Sequence, residues 1–277
     1  MALGLLVCSI GSCGKPKFSS GLTKLSPCSL PGIKEKLLCG KFKVFENRKT
    51  RTGRTIDLNI VVLPAIDQKS KAEPFFHLEG GPGVDATGAA GFYATDGRQF
   101  RNHHDVVLVD QRGTGESNRL GIGEVKTPQG KLGEMYPVEY VKKMRAELAQ
   151  RADLTQYTTS IAMDDLDDVR EWLGYDRINL FGLSYGTRAV LVYLRQHPEH
   201  VRTITLMSVA PTYLRMPMYH SQAADRAMNL LLEECEHDAK CHEAFPQIRD
   251  DWQEVLAELQ RGPAHAEYRS AAGKTEF

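Results

Sequence analysis

Three features of this 277-residue chain predict an α/β fold, a mostly parallel sheet flanked by helices. Its middle alternates short apolar runs with helix-like stretches, an order that calls for parallel strands covered on both faces. Before that block, two strand-like segments joined by a polar turn read as an antiparallel hairpin. Beyond Pro211 helical spacing continues without strands, which reads as a helical cap. The expected division is 1–27 as an N-terminal segment, 28–210 as the core and 211–277 as an incomplete cap.

Composition narrows the function classes. Lys+Arg and Asp+Glu both total 35, giving a formal net charge of +0, and the charges are spread along the chain. No basic surface is expected to bind nucleic acid or anionic membrane. No run of 18 apolar residues predicts a membrane span. The apolar stretch from Ala2 to Ile10 lacks a preceding basic residue and is a candidate trimmed signal segment. Val7 argues against lipid attachment at Cys8, because such cleavage sites prefer a small residue there.

Four of the six cysteines fall in two short-range pairs, Cys28 with Cys39 and Cys235 with Cys241. Pairing of this kind suits disulfides and an extracytoplasmic location. Cys235, His237, Cys241 and His242 could alternatively ligate zinc, but structural sites bring together two separated pairs. No metal or other cofactor is expected.

In chain order, Gly40 to Phe45 reads as a strand, and Ile56, Leu58, Ile60 and Val62 alternate with period two as a second one ending at Pro64. Arg48 to Arg54 connects them. Phe75 to Leu78 is a short strand breaking into Glu79-Gly80-Gly81-Pro82-Gly83, a loop whose uncovered backbone amides are free to face a ligand. Asp105 to Asp110 lacks alternation and reads as a central strand buried on both faces. Gln111-Arg112-Gly113-Thr114-Gly115-Glu116-Ser117 fits no phosphate-binding spacing. It is expected to be a structural loop in which Arg112 pairs a carboxylate such as Asp110.

Val138 to Ala149 reads as a solvated helix. In the next helix Ala162, Leu166, Val169 and Leu173 keep helical spacing, with Thr159 or Ser160 as cap and Gly174 as stop. Its Asp164, Asp165, Asp167 and Asp168 are expected on the solvated side, favoured by the helix dipole. Arg177 to Phe181 is a strand. It runs into Gly182-Leu183-Ser184-Tyr185-Gly186, a GxSxG pattern placed where a strand hands over to a helix. Such a turn leaves no room for a Cβ two residues either side of the serine, and it presents the hydroxyl beside the next backbone N–H. His197-Pro198 ends the helix, and Val201 to Met207 is the next strand. Met216, Met218, Ala224 to Cys235, Ile248, Trp252, Val255 and Leu259 describe the helices of the cap, whose Met and aromatic residues read as packing.

Leu78-Glu79-Gly80-Gly81-Pro82-Gly83, Val109-Asp110-Gln111-Arg112-Gly113 and Gly182-Leu183-Ser184-Tyr185-Gly186-Thr187-Arg188, in that order, resemble the α/β-hydrolase peptidases of the proline iminopeptidase and tripeptidyl aminopeptidase group. The resemblance covers about 28–262, and the paired cysteines look like the secreted tripeptidyl aminopeptidase branch. It implies an α/β-hydrolase fold and cleavage of a peptide or small acyl substrate near a free amino terminus through an acyl-serine. Ser184 would be the nucleophile, with the N–H groups of Gly81 and Tyr185 as oxyanion donors. Asp110 precedes Ser184, whereas the order in this fold is serine, acid, histidine. The family's acid and histidine follow late strands beyond the cap, and His197, His200, His220, His237, His242 and His265 occupy no such place. The expectation is therefore the N-terminal part of a longer hydrolase, or a truncated gene product, nearly inactive alone and with an exposed sheet edge. A carboxylester hydrolase and a non-catalytic binding protein on the same fold are the alternatives.

Overall fold

The computed structural model describes residues 20–70, 72–121, 137–215 and 218–262, with 268–269 and 275–276. Cys8, Met216, Pro263 and His265 lie outside the described residues. The chain divides into two compact units, 1–212 and 213–277.

The first unit carries a seven-stranded sheet among the described residues. Its strands are β1 (Ser26–Cys28), β2 (Leu37–Phe45), β3 (Thr55–Leu63), β4 (Phe75–Leu78), β5 (Val106–Val109), β6 (Ile178–Leu183) and β7 (Val201–Met207). Their spatial order is β1-β2-β3-β5-β4-β6-β7. The hairpin β2–β3 is antiparallel with Leu38 opposite Val62, and β3 meets β5 antiparallel. From β5 through β4 and β6 to β7 every pairing is parallel. The helices are α1 (Ala90–Ala94), α2 (Val138–Arg151), α3 (Thr159–Trp172) and α4 (Tyr185–Gln196).

The absence of alternation in β5 has a direct cause. Val107 and Val109 join a core cluster with Phe76, Leu166, Val169, Leu180 and Val190, while Val106 and Leu108 join a second cluster with Leu37, Leu63 and Tyr93. Both sheet faces are therefore covered, and each apolar residue of β5 enters one core or the other. At the far edge β7 pairs only with β6 among the described residues, and Arg202, Thr203, Thr205 and Met207 are exposed. Cys28 and Cys39 are joined by a disulfide that ties β1 to β2.

Three sequence expectations are corrected. Helix α3 is capped by Thr158, whose hydroxyl accepts the Ile161 N–H, rather than by Thr159 or Ser160. Its aspartates are not a solvated face. Asp165 is 2% exposed, and Asp167 accepts from Arg170, Tyr193 and His200. Arg112 pairs Asp165, not Asp110: its Nε donates to Asp165 Oδ2 at 2.6 Å and a terminal nitrogen to Oδ1 at 2.8 Å. A bidentate guanidinium–carboxylate pair tolerates burial because both partners are satisfied, and Arg112 also reaches the carbonyls of Glu46 and Gln156.

The second unit contains α5 (His220–His237), α6 (Ala239–Ala244) and α7 (Ile248–Arg261), and it corrects the expectation of a region without strands: a short antiparallel pair, β8 (Tyr268–Arg269) with β9 (Thr275–Glu276), follows the helices. A disulfide joins Cys235 at the end of α5 to Cys241 in α6, so neither thiolate is free for zinc. Asp238 caps α6, and Arg249 of α7 grips Glu236 of α5 with two hydrogen bonds of 3.0 Å.

Candidate active site

Strand β6 turns into α4 within one residue. Ser184 stands at that turn with φ 52° and ψ −117°, a left-handed conformation that is costly for a residue with a side chain and persists only when its surroundings enforce it. Those surroundings include both flanking glycines. A Cβ on Gly182 would lie 2.6 Å from the Gly186 carbonyl group, and one on Gly186 would lie 2.0 Å from the Leu78 oxygen. The side chain of Thr187, to which the GxSxG pattern assigns no role, is the third constraint. Its buried hydroxyl donates to the Ser184 carbonyl at 2.6 Å and accepts the Ala210 N–H at 2.8 Å. The Ser184 N–H in turn donates to the Met207 carbonyl at the end of β7. Ser184 itself is exposed, and among the described residues no hydrogen bond engages its hydroxyl.

The loop after β4 crosses beside this serine. A Cβ placed on Gly80 would fall 3.4 Å from Ser184 Cβ and 4.0 Å from Ser184 Oγ, ordinary contact distances that put this loop next to the serine side chain. Gly81 and Gly83 have φ of 103° and 104°, and the Gly81–Pro82 peptide is cis. The N–H of Gly80 donates to Glu79 Oε1 at 2.9 Å. The N–H groups of Gly81 and Tyr185 have no acceptor among the described residues. A cavity of about 530 Å³ opens next to the two segments, walled by Pro82, Val84, Arg112, Arg119, Tyr157 and Tyr185.

Asp110 holds the loops at this edge of the sheet together. Fully buried, it accepts from Asn59 Nδ2 and Thr87 N at 2.9 Å, and from Thr87 Oγ1 and Glu116 N at 3.1 Å. Gly115 is required beside it, since a Cβ there would sit 2.2 Å from Asp110 Oδ2. The Arg-Gly-Thr-Gly stretch after β5 is thus shaped around a carboxylate that accepts four donors.

The histidines are placed elsewhere. His77 is buried between Tyr93 and Glu79. His197 and His200 lie past the end of α4, whose 12 residues put them about 18 Å along the axis from Ser184. There they contact Asp164 and Asp167. Asp167, His197 and His200 could bring three ligand atoms within 4.8 Å of one another. Arg170, however, already donates to both Asp167 oxygens, which places a fixed positive charge where a cation would sit. Burial acts to raise Asp167, but Arg170, Tyr193 and His200 outweigh it and hold the carboxyl down at about 2. His220, His237 and His242 belong to the second unit.

A sheet with an antiparallel start and a parallel remainder, helices on both faces and a serine at a tight strand-to-helix turn defines a hydrolase scaffold. In agreement, residues 74–239 match the alpha/beta hydrolase fold family, and the chain belongs to it. Among individual proteins, the chain is 25% identical over 222 residues to the serine protease Hip1 of Mycobacterium tuberculosis, covering 74% of this chain and 42% of that protein. It is 28% identical over 137 residues to the proline iminopeptidase of Neisseria gonorrhoeae, covering 49% of this chain and 32% of that protein. The chain therefore spans less than half the length of either relative. Among solved structures, an alpha/beta hydrolase from a Medee basin deep-sea metagenome library aligns with a TM-score of 0.40 at 16% identity, over 79% of this chain and 64% of that one.

Proposed function

We propose that this chain carries the nucleophile half of a serine hydrolase that cleaves peptide or amide bonds near a free amino terminus. Ser184 Oγ attacks the scissile carbonyl, and the resulting oxyanion is received by the N–H groups of Gly81 and Tyr185. The observation that carries this reading is the exposed Ser184 at φ 52°, next to the Gly80 segment, together with the N–H groups of Gly81 and Tyr185, which have no acceptor among the described residues. Peptidase names among the relatives favour an amide over an ester as substrate. The two disulfides support an extracytoplasmic location, and no described helix is long and apolar enough to cross a membrane.

A serine hydroxyl needs a base to take its proton. None of the described residues hydrogen-bonds Ser184 Oγ, and full turnover in this reading requires a histidine and an acid brought to it. The oxyanion hole and substrate binding together retain about 10³–10⁴ of rate over water when a triad member is removed, so a reactive organophosphorus probe is expected to label slowly. A fluorophosphonate should modify Ser184, read by peptide mass spectrometry, and Ser184→Ala should abolish the adduct. Label that survives Ser184→Ala would overturn the role of Ser184, and a folded protein that takes no label would favour a binding protein or a fragment without its base. Parallel assays with aminoacyl amides, tripeptidyl amides and short-chain esters separate peptidase from esterase.

A further inference from the structure

The loop beside Ser184 is anchored from behind by a chain of three side chains. Tyr93 of α1 and His77 of β4 meet at 2.9 Å through Tyr93 Oη and His77 Nδ1. The other ring nitrogen, Nε2, lies 2.8 Å from Glu79 Oε2, and Glu79 Oε1 accepts the N–H of Gly80 at 2.9 Å. Phe181 of β6 stacks on the His77 ring with centroids 5.4 Å apart, and His77 is 7% exposed. No other charged group contacts this ring among the described residues.

We infer that Glu79 and His77 are positioning residues for the oxyanion loop: the Glu79 carboxylate, held by His77, engages the Gly80 N–H and so leaves the Gly81 N–H as the loop's donor toward Ser184. The catalytic consequence rests on the Ser184 reading, whereas the hydrogen-bond chain stands on its own.

The proton positions follow from chemistry. Burial acts to raise Glu79, but the Gly80 N–H and His77 outweigh it and hold the carboxyl below its ordinary range. An ionised carboxylate can only accept, so His77 Nε2 carries the hydrogen. Burial lowers His77 more than Glu79 raises it, which keeps the ring neutral at neutral pH. Nδ1 of a neutral Nε2–H ring must accept, and Tyr93 must donate to it. Every donor along the line then has one acceptor, and the single backbone N–H at its end is that of Gly80.

The test reads the chain directly. Imidazole nitrogen NMR on labelled protein, with His77 assigned by its loss in His77→Gln, should show the Nε2–H tautomer. In Glu79→Gln the side-chain carbonyl can keep the Gly80 N–H only by turning its NH₂ toward His77, so the ring should switch to Nδ1–H. In Glu79→Ala the Gly80 amide should exchange with solvent at least about tenfold faster, and fluorophosphonate labelling of Ser184 should slow about tenfold or more through misplacement of the loop. Tyr93→Phe should leave the tautomer unchanged. An Nδ1–H tautomer in the unaltered protein, or unchanged Gly80 exchange in Glu79→Ala, would overturn the hydrogen-bond chain. Labelling at the original rate in Glu79→Ala would overturn the positioning role. Failure of the unaltered protein to label at all would point to a binding protein or a fragment without its base instead, and it is told apart because tautomer and exchange are read on unlabelled protein.

Discussion

Replacing Gly186 by alanine adds one methyl group at a place where the structure has no room for it. The new Cβ would fall 2.0 Å from the Leu78 oxygen, 2.7 Å from the Leu78 carbonyl carbon and 2.9 Å from the Glu79 oxygen. All three are backbone atoms, so no side chain can rotate away. Ordinary contact between these atoms is about 3.4 Å, so α4 and the end of β4 must part by more than about 1 Å. Overpacking of a rigid core costs about 1–3 kcal/mol, and a clash between two backbone segments belongs at or above the upper end. We expect Gly186→Ala to lose about 3 kcal/mol in urea-induced unfolding and to slow Ser184 labelling by about 100-fold, the penalty for a reacting group displaced by about 1 Å. The control is Gly91→Ala in α1, where a Cβ meets nothing within 4 Å and φ is not positive. That change should be neutral or stabilise by about 0.5–1 kcal/mol. A Gly186→Ala protein within about 1 kcal/mol of the parent would refute the packing argument for the turn.

Three further outcomes follow from the buried polar groups and the covalent links. Asp110→Asn keeps the volume but leaves one acceptor oxygen for donors from Asn59, Thr87 and Glu116, and it should cost about 2–3 kcal/mol in denaturant unfolding. Asp167 has its folded pKa depressed from 3.8 to about 2, so its contribution is present above pH 3.8 and is lost as pH falls through about 2. That contribution is about 2 kcal/mol, and Asp167→Asn should flatten the stability profile between about pH 5 and pH 2; an unchanged slope would count against the pairing with Arg170 and Tyr193. Removing the Cys28–Cys39 link, whose partners are 11 residues apart, by the double change to serine should lower the thermal midpoint by the equivalent of about 2–3 kcal/mol, with no loss if the thiols are already reduced in the parent.

Periodicity and turn chemistry made the longer strands and helices of the first unit readable from the residues alone, whereas β1 and α1 are too short to carry a periodic signal. Alternation in Ile56, Leu58, Ile60 and Val62 marks a strand with one face buried, which holds for its first half, whereas Val61 and Leu63 enter the second core and bury the other face as well; its absence in 106–109 marks a strand covered on both sides. The glycines of the GxSxG pattern announce a steric requirement that is local along the chain, so the turn at Ser184 could be read before any coordinates. Charge was not readable in the same way. An aspartate on a helix has the same sequence signature whether it faces water or a guanidinium from another loop, and the partner of Asp165 lies 53 residues away in Arg112.

What the amino-acid sequence determined by itself was therefore most of the longer elements, the α/β class and the tight turn at Ser184, because each depends on near neighbours along the chain. Only the tertiary structure decided which carboxylate Arg112 meets, that Asp110 gathers the loops, that Thr187 ties the turn to the segment after β7, and that His77 and Glu79 stand behind Gly80. Those contacts are made when the sheet order brings β3, β5, β4 and β6 side by side. That order is set by burying two apolar faces at once, a property of the whole chain that no short stretch of residues carries.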